Sequence, residues 1–133
     1  MKQGRSLTEL AQELERQQEA KRDFVLDTRR MHFATTPASE GRSLSEMDLL
    51  EEGGAAVEHG NGLHVLEHAH RQLSDYLSIP WRYYDRLRAD VPSLLDANVN
   101  TLLQRAAEPR MVRTLDGQAR AFLSDRYRRL DNQ

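Results

Sequence analysis

Arg110-Met111-Val112-Arg113-Thr114-Leu115-Asp116-Gly117-Gln118-Ala119-Arg120-Ala121-Phe122-Leu123 decides how this chain folds. Two alternating runs flank Asp116-Gly117. Asp-Gly between such runs is the strongest short-range cue for a β-hairpin, because both turn positions need positive φ. A two-residue loop pairs Leu115 with Gln118, Thr114 with Ala119, Arg113 with Arg120 and Val112 with Ala121. One face then carries Val112, Thr114, Ala119 and Ala121. The other carries Met111, Leu115 and Phe122, with Arg113 and Arg120 directly opposite each other.

Upstream of the hairpin the period changes to that of helices. Pro92 opens a helix to about Arg105, with Leu94, Leu95, Val99, Leu102 and Leu103 as its apolar positions. Pro80 opens another over Trp81–Ala89. A third runs from Glu67 to Leu77, with Ala69, Leu73, Tyr76 and Leu77 on one face, and Gly62–Leu66 before it reads as a short strand. Tight turns join the three helices, so they should pack as one cluster.

Further upstream, Val25, Met31 and Phe33 share one parity, with Asp27 and Arg29 between them. This predicts one strand over 24–33 with a polar middle. Residues 36–60 read as an acidic loop of net charge −5, holding Glu40, Glu46, Asp48, Glu51, Glu52 and Glu58 against Arg42. Within it, Leu44, Met47 and Leu50 behind a Ser43–Glu46 capping box suggest a short helix over Leu44–Glu52. Ser6-Leu7-Thr8-Glu9 is a second capping box and starts a helix over 6–21 on Leu7, Leu10, Ala11 and Leu14. The expected fold is α+β in a single domain, 1–133: a short-helix cluster on a small antiparallel sheet of the hairpin and the 24–33 strand. The N-terminal helix covers that sheet or crosses to a second subunit.

A chain of 133 residues fits one domain. It has no cysteine, which excludes a disulfide scaffold, a thiol nucleophile and cysteine-ligated zinc or iron–sulfur centres. A net charge of −2 excludes a uniformly basic nucleic-acid coat, so phosphate binding needs a local patch. No apolar run approaches the roughly 20 residues of a membrane span, so no membrane partner is expected and the default address is the cytoplasm.

The patch is at the C-terminal end. Residues 101–133 hold seven arginines against four acids. Arg113 and Arg120, facing each other with Arg126, Arg128 and Arg129 nearby, could meet a phosphate backbone, with Tyr127 as a stacking surface. The plainer reading pairs these arginines with Asp125, Asp131 or the acidic middle segment. His59, His64, His68 and His70 fall close together, and Glu67 adds a carboxylate. However, His64 reads as strand, and His68 and His70 point apart on a helix, so surface histidines are the preferred reading over a metal site. Trp81, Tyr84 and Leu87 read as core, which leaves Tyr83 for a surface role. No Gly-rich phosphate loop, nucleophile elbow or His-Glu-x-x-His pair is present, so neither an enzyme nor a cofactor is expected.

Leu73-Ser74-Asp75-Tyr76-Leu77-Ser78-Ile79-Pro80-Trp81-Arg82-Tyr83-Tyr84-Asp85-Arg86-Leu87, Asn98-Val99-Asn100 and Leu123-Ser124-Asp125-Arg126-Tyr127 carry a family resemblance. The chain resembles the phage/plasmid-like proteins of domain-of-unknown-function family 932 over about residues 63–132, with a weaker match at Asp23–Phe33. The resemblance implies a mobile-element origin in a bacterial host cell and no particular activity. Family members run on past this point, so the chain reads as a truncated form or a shortened relative. Its hairpin is then expected to have an open edge, inviting a homodimer there or through the N-terminal helix.

Two functions follow as expectations. The first is a non-catalytic defence antagonist that binds a host protein or nucleoprotein complex, with Glu51 and Glu52 mimicking phosphate charge. The alternative is a DNA- or RNA-binding protein of phage recombination or replication that uses the basic hairpin.

Overall fold

The computed structural model describes residues 21–37 and 43–126. Within them six strands form one mixed sheet: β1 (Lys21–Asp27), β2 (Met31–Thr36), β3 (Leu44–Leu49), β4 (Leu63–Val65), β5 (Pro109–Leu115) and β6 (Gln118–Ser124). Their order is β1-β5-β6-β4-β3-β2, and every neighbouring pair is antiparallel except β4 with β6. Three helices follow the predicted boundaries closely: α1 (Glu67–Tyr76), α2 (Trp81–Asp90) and α3 (Pro92–Arg105). The class is α+β as expected, but the sheet is larger than expected and is not purely antiparallel. Of the helix expected over 6–21, residues 6–20 lie outside the described residues, and Lys21 is strand.

The 24–33 strand proves to be two strands. Thr28–Arg30 form a single 3-10 turn between β1 and β2, and those two strands are the opposite edges of the sheet. Laid flat, six strands would separate the edges by about 24 Å. The four Cα steps from Asp27 to Met31 bridge at most about 14 Å. The sheet therefore curls until its edges approach each other at this corner. Thr28 pins the corner. It is fully buried, donates its hydroxyl to the Leu103 carbonyl at 2.9 Å, and donates its N–H to the Glu108 carbonyl at 3.1 Å. A polar residue in mid-strand was thus the sign of a bend.

The acidic segment is not one loop. Leu44–Leu49 is β3, not a helix, and it buries Ser45, Met47 and Leu49 in strict alternation. Leu44, Met47 and Leu50 gave a helical spacing, but Leu44 is exposed. The strand parity was hidden because one of its inward positions is Ser45, whose hydroxyl meets that of Thr35 at 2.7 Å on β2.

The hairpin turn forms as expected, with Asp116 at φ 52° and Gly117 at φ 76°. Leu115 faces Gln118 and Thr114 faces Ala119. Beyond these pairs the register shifts, so that Arg113 faces Ala121 and Val112 faces Phe122. Arg120 is the extra residue of a β-bulge. The bulge exchanges Ala121 and Phe122 between faces, which puts Phe122 into the core with Val112 and Ala119. Both hairpin strands are interior to the sheet, so the hairpin offers no open edge for a second copy.

The core lies between the curled sheet and the helices. Phe33, Leu49, Leu63, Leu73, Tyr84, Leu95, Val99 and Leu103 are all buried there. Each buried side chain of this size stabilises the fold by about 1.5–3 kcal/mol relative to exposure. One face of α3 closes the β2 edge. Asn100 accepts from the Phe33 N–H and donates to the Phe33 carbonyl, both at 2.8 Å. Asp96 accepts from the Thr35 N–H at 2.8 Å, and Gln104 donates to the Arg29 carbonyl at 2.9 Å. Positions i and i+4 of one helix thereby take hydrogen bonds that another strand would have made, and position i+8 extends the row to the turn before β2.

Candidate functional site

At the end of the sheet where β1 begins and the hairpin turns lies a cleft of about 690 Å³, lined by Lys21, Arg22, Asp23, Arg113, Thr114, Leu115 and Arg120. Its charges come from three adjacent strands. β1 supplies Lys21, Arg22 and Asp23, β5 supplies Arg113, and the bulge of β6 supplies Arg120. Four cationic residues and one acidic residue thus line a space the size of a ligand site, and of these Arg113 is the one whose guanidinium meets the Asp23 carboxylate.

Strand pairing sets the geometry. Asp23 is the cross-strand partner of Arg113, and the two side chains meet in a fork: Nε to Oδ1 at 3.1 Å and a terminal nitrogen to Oδ2 at 3.3 Å. Both side chains are half-exposed, 38% for Arg113 and 44% for Asp23, so a ligand can reach the pair. Arg22 donates to the Lys21 carbonyl at 3.2 Å and lies 3.5 Å from His59 Nε2. Thr114 is buried, and its hydroxyl donates to the Arg22 carbonyl at 3.0 Å. That bond ties β1 to β5 beneath the charged groups. Lys21 and Arg120 are exposed.

The structure brings together two of the residues expected to bind, Arg113 and Arg120, but not as a facing pair. The bulge takes Arg120 out of register, and Asp23 on β1 pairs with Arg113, a partner the sequence reading did not name. Tyr83 is exposed on α2, Arg126 is exposed just beyond β6, and neither lines the cleft. Glu51 and Glu52 are exposed on the turn after β3. Tyr127, Arg128 and Arg129 lie outside the described residues. Lys21, Arg22 and Asp23 were missed because Lys21 read as the end of a polar helix and Arg22 as the last residue of the polar run that closes it. The signal available was the parity of Asp23 with Val25, which marks it as a strand position.

A second cluster is structural. His70 is buried, shares a 2.7 Å hydrogen bond with Tyr84 and packs edge-on against the Phe33 ring at 5.9 Å. Burial, then the nearby Arg88 guanidinium and His64, push its imidazole down to about 3. Burial likewise pushes the Tyr84 phenol well above its ordinary value. Arg88 is held by Asp85 at 2.7 Å and Glu67 at 3.0 Å, and Trp81 stacks on Tyr84. This matches the core reading of Trp81, Tyr84 and Leu87. Among the described residues no three His, Asp or Glu side chains stand together as a metal site. No described helix is long and apolar enough to cross a membrane.

No protein-family model, no curated protein and no solved structure matches this chain.

Proposed function

We propose that this chain is a non-catalytic nucleic-acid-binding protein and that the cleft between β1 and the hairpin is its contact surface. The observation that carries this reading is the convergence of Lys21, Arg113 and Arg120 from three strands on one cleft, in a chain whose net charge is −2. Guanidinium forks suit phosphate oxygens, and rigid strands position them better than loops do. The resemblance to domain-of-unknown-function family 932 belongs to the same proposal. It supplies a setting of phage or plasmid nucleic acid in a bacterial cell.

Labelled single- and double-stranded DNA, titrated with the protein at about 50 and 200 mM salt, tests it. Three phosphate contacts would weaken binding roughly 40-fold over that interval. Arg113→Glu with Arg120→Glu is expected to remove the low-salt binding, while far-ultraviolet circular dichroism stays unchanged. No binding at the lower salt overturns the reading.

A second reading has one observation in its favour: the exposed carboxylates of Glu51 and Glu52 on the turn after β3. Its partner is a host protein or nucleoprotein complex whose nucleic-acid groove takes them in place of phosphates. Glu51→Lys with Glu52→Lys would abolish that capture, whereas binding of DNA by the cleft survives it.

A further inference from the structure

We infer that Asp23 is a built-in competitor of the ligand: its carboxylate occupies the Arg113 fork until a ligand with several closely spaced phosphates displaces it. This rests on the reading of the cleft as a nucleic-acid site and adds what sets its affinity and its preference for charge number.

Register is the first part of the argument. Asp23 and Arg113 face each other across β1 and β5, so the backbone holds the carboxylate at the guanidinium and chance rotamers do not. Both oxygens of Asp23 are engaged, at 3.1 and 3.3 Å. This is the fork geometry that a carboxylate shares with a phosphate. The carboxylate therefore stands where a phosphate would stand.

Exposure is the second part. With 38% and 44% of their side chains open to solvent, Arg113 and Asp23 form a pair of the weakly held, salt-screened kind. Displacing it is cheap but gains nothing by itself, because one anion replaces another at Arg113. A ligand gains only by reaching Lys21 and Arg120 at the same time, and a run of phosphates does that where a single anion does not. Asp23 stays in the cleft after displacement and repels the bound phosphate. Removing its charge should tighten binding.

Asp23→Asn, with Asp23→Thr as a second variant suited to a strand, is compared with the natural chain for binding of labelled duplex DNA at about 50 and 200 mM salt. The expected result is affinity raised about 5- to 10-fold at the lower salt and a salt slope steeper by about one counterion. Inorganic phosphate should compete poorly against the natural chain and better against either variant. Asp116→Asn is the control for net charge. It lies on the hairpin turn, does not line the cleft, and keeps an Asx-Gly turn. It should change affinity less than 2-fold. Equal or weaker binding by both Asp23 variants, or an equal gain from Asp116→Asn, overturns the role of Asp23 and leaves the nucleic-acid reading standing. Absence of binding by every chain at the lower salt overturns both.

Discussion

β1 and β2 are consecutive along the chain, joined by a single turn, and they form the two edges of one sheet, yet they are finished in opposite ways. At β2, one face of α3 supplies Asp96, Asn100 and Gln104 to backbone groups of the β2 edge and of the turn before it. At β1, the half-exposed side chains Asp23 and Arg113 trade charge beside Lys21 and Arg120. Hydrogen bonds to a partly buried backbone are costly to break and carry no specificity for a ligand. A half-exposed ion pair is cheap to break and can be exchanged for an external anion. On the proposed reading, stability rests on the β2 side and binding on the β1 side, and that division can be attacked from either end.

The largest effect is expected on the β2 side, where His70 packs against Phe33. Burial, helped by Arg88 and His64 and opposed by Asp85, moves this imidazole down to about 3 from the usual 6.5. Between those values the unfolded chain binds the proton and the folded chain does not. The contribution is complete above about pH 6.5 and is lost as the pH falls toward 3, at about 1.4 kcal/mol per unit. Urea unfolding at several pH values reads the slope, and His70→Gln should flatten it. A natural chain equally stable across that window would mean that the imidazole is open to water.

Next in size is Asn100→Leu. It removes the donor and the acceptor that serve Phe33 and leaves a backbone N–H and carbonyl without partners at the edge of the core. The expected cost is about 3 kcal/mol, measured by denaturant unfolding, with DNA affinity of the folded protein within 2-fold of the natural chain. A large loss of affinity at unchanged stability would erase the distinction between the edges.

How much of this was legible follows the same division. The three helices were readable because Pro80 and Pro92 mark the starts of two of them and the apolar faces of all three repeat at helical spacing. The hairpin turn was readable because Asp116-Gly117 states its own φ requirement. The bulge was not, since Arg120 fits an alternating pattern equally well and only the demand to bury Phe122 moves the register. β3 was not, because its inward residues include Ser45 and its outward ones include Leu44. The bend at Thr28 and the ladder from α3 depend on pairings 61 to 80 residues apart. Of the cleft, Arg113 and Arg120 were legible as cations, but their neighbours on β1 were not, because Asp23 meets Arg113 across 90 residues.

The smallest effect is the sharpest test of the comparison. Asp23→Asn breaks the charged fork at the β1 edge, as Asn100→Leu breaks the amide bridge at the β2 edge. Both Asp23 and Arg113 keep a third or more of their side chains in water, 44% and 38%. Water can take over much of the lost bonding, and an exposed pair of this kind contributes about 0–1 kcal/mol. Unfolding of Asp23→Asn in urea should therefore give a midpoint close to that of the natural chain, and salt should narrow the small gap that remains. A loss comparable to that of Asn100→Leu would show that the β1 edge depends on its ion pair for stability. Asp23 would then be a strut between β1 and β5, and a phosphate could not displace it without loosening the sheet.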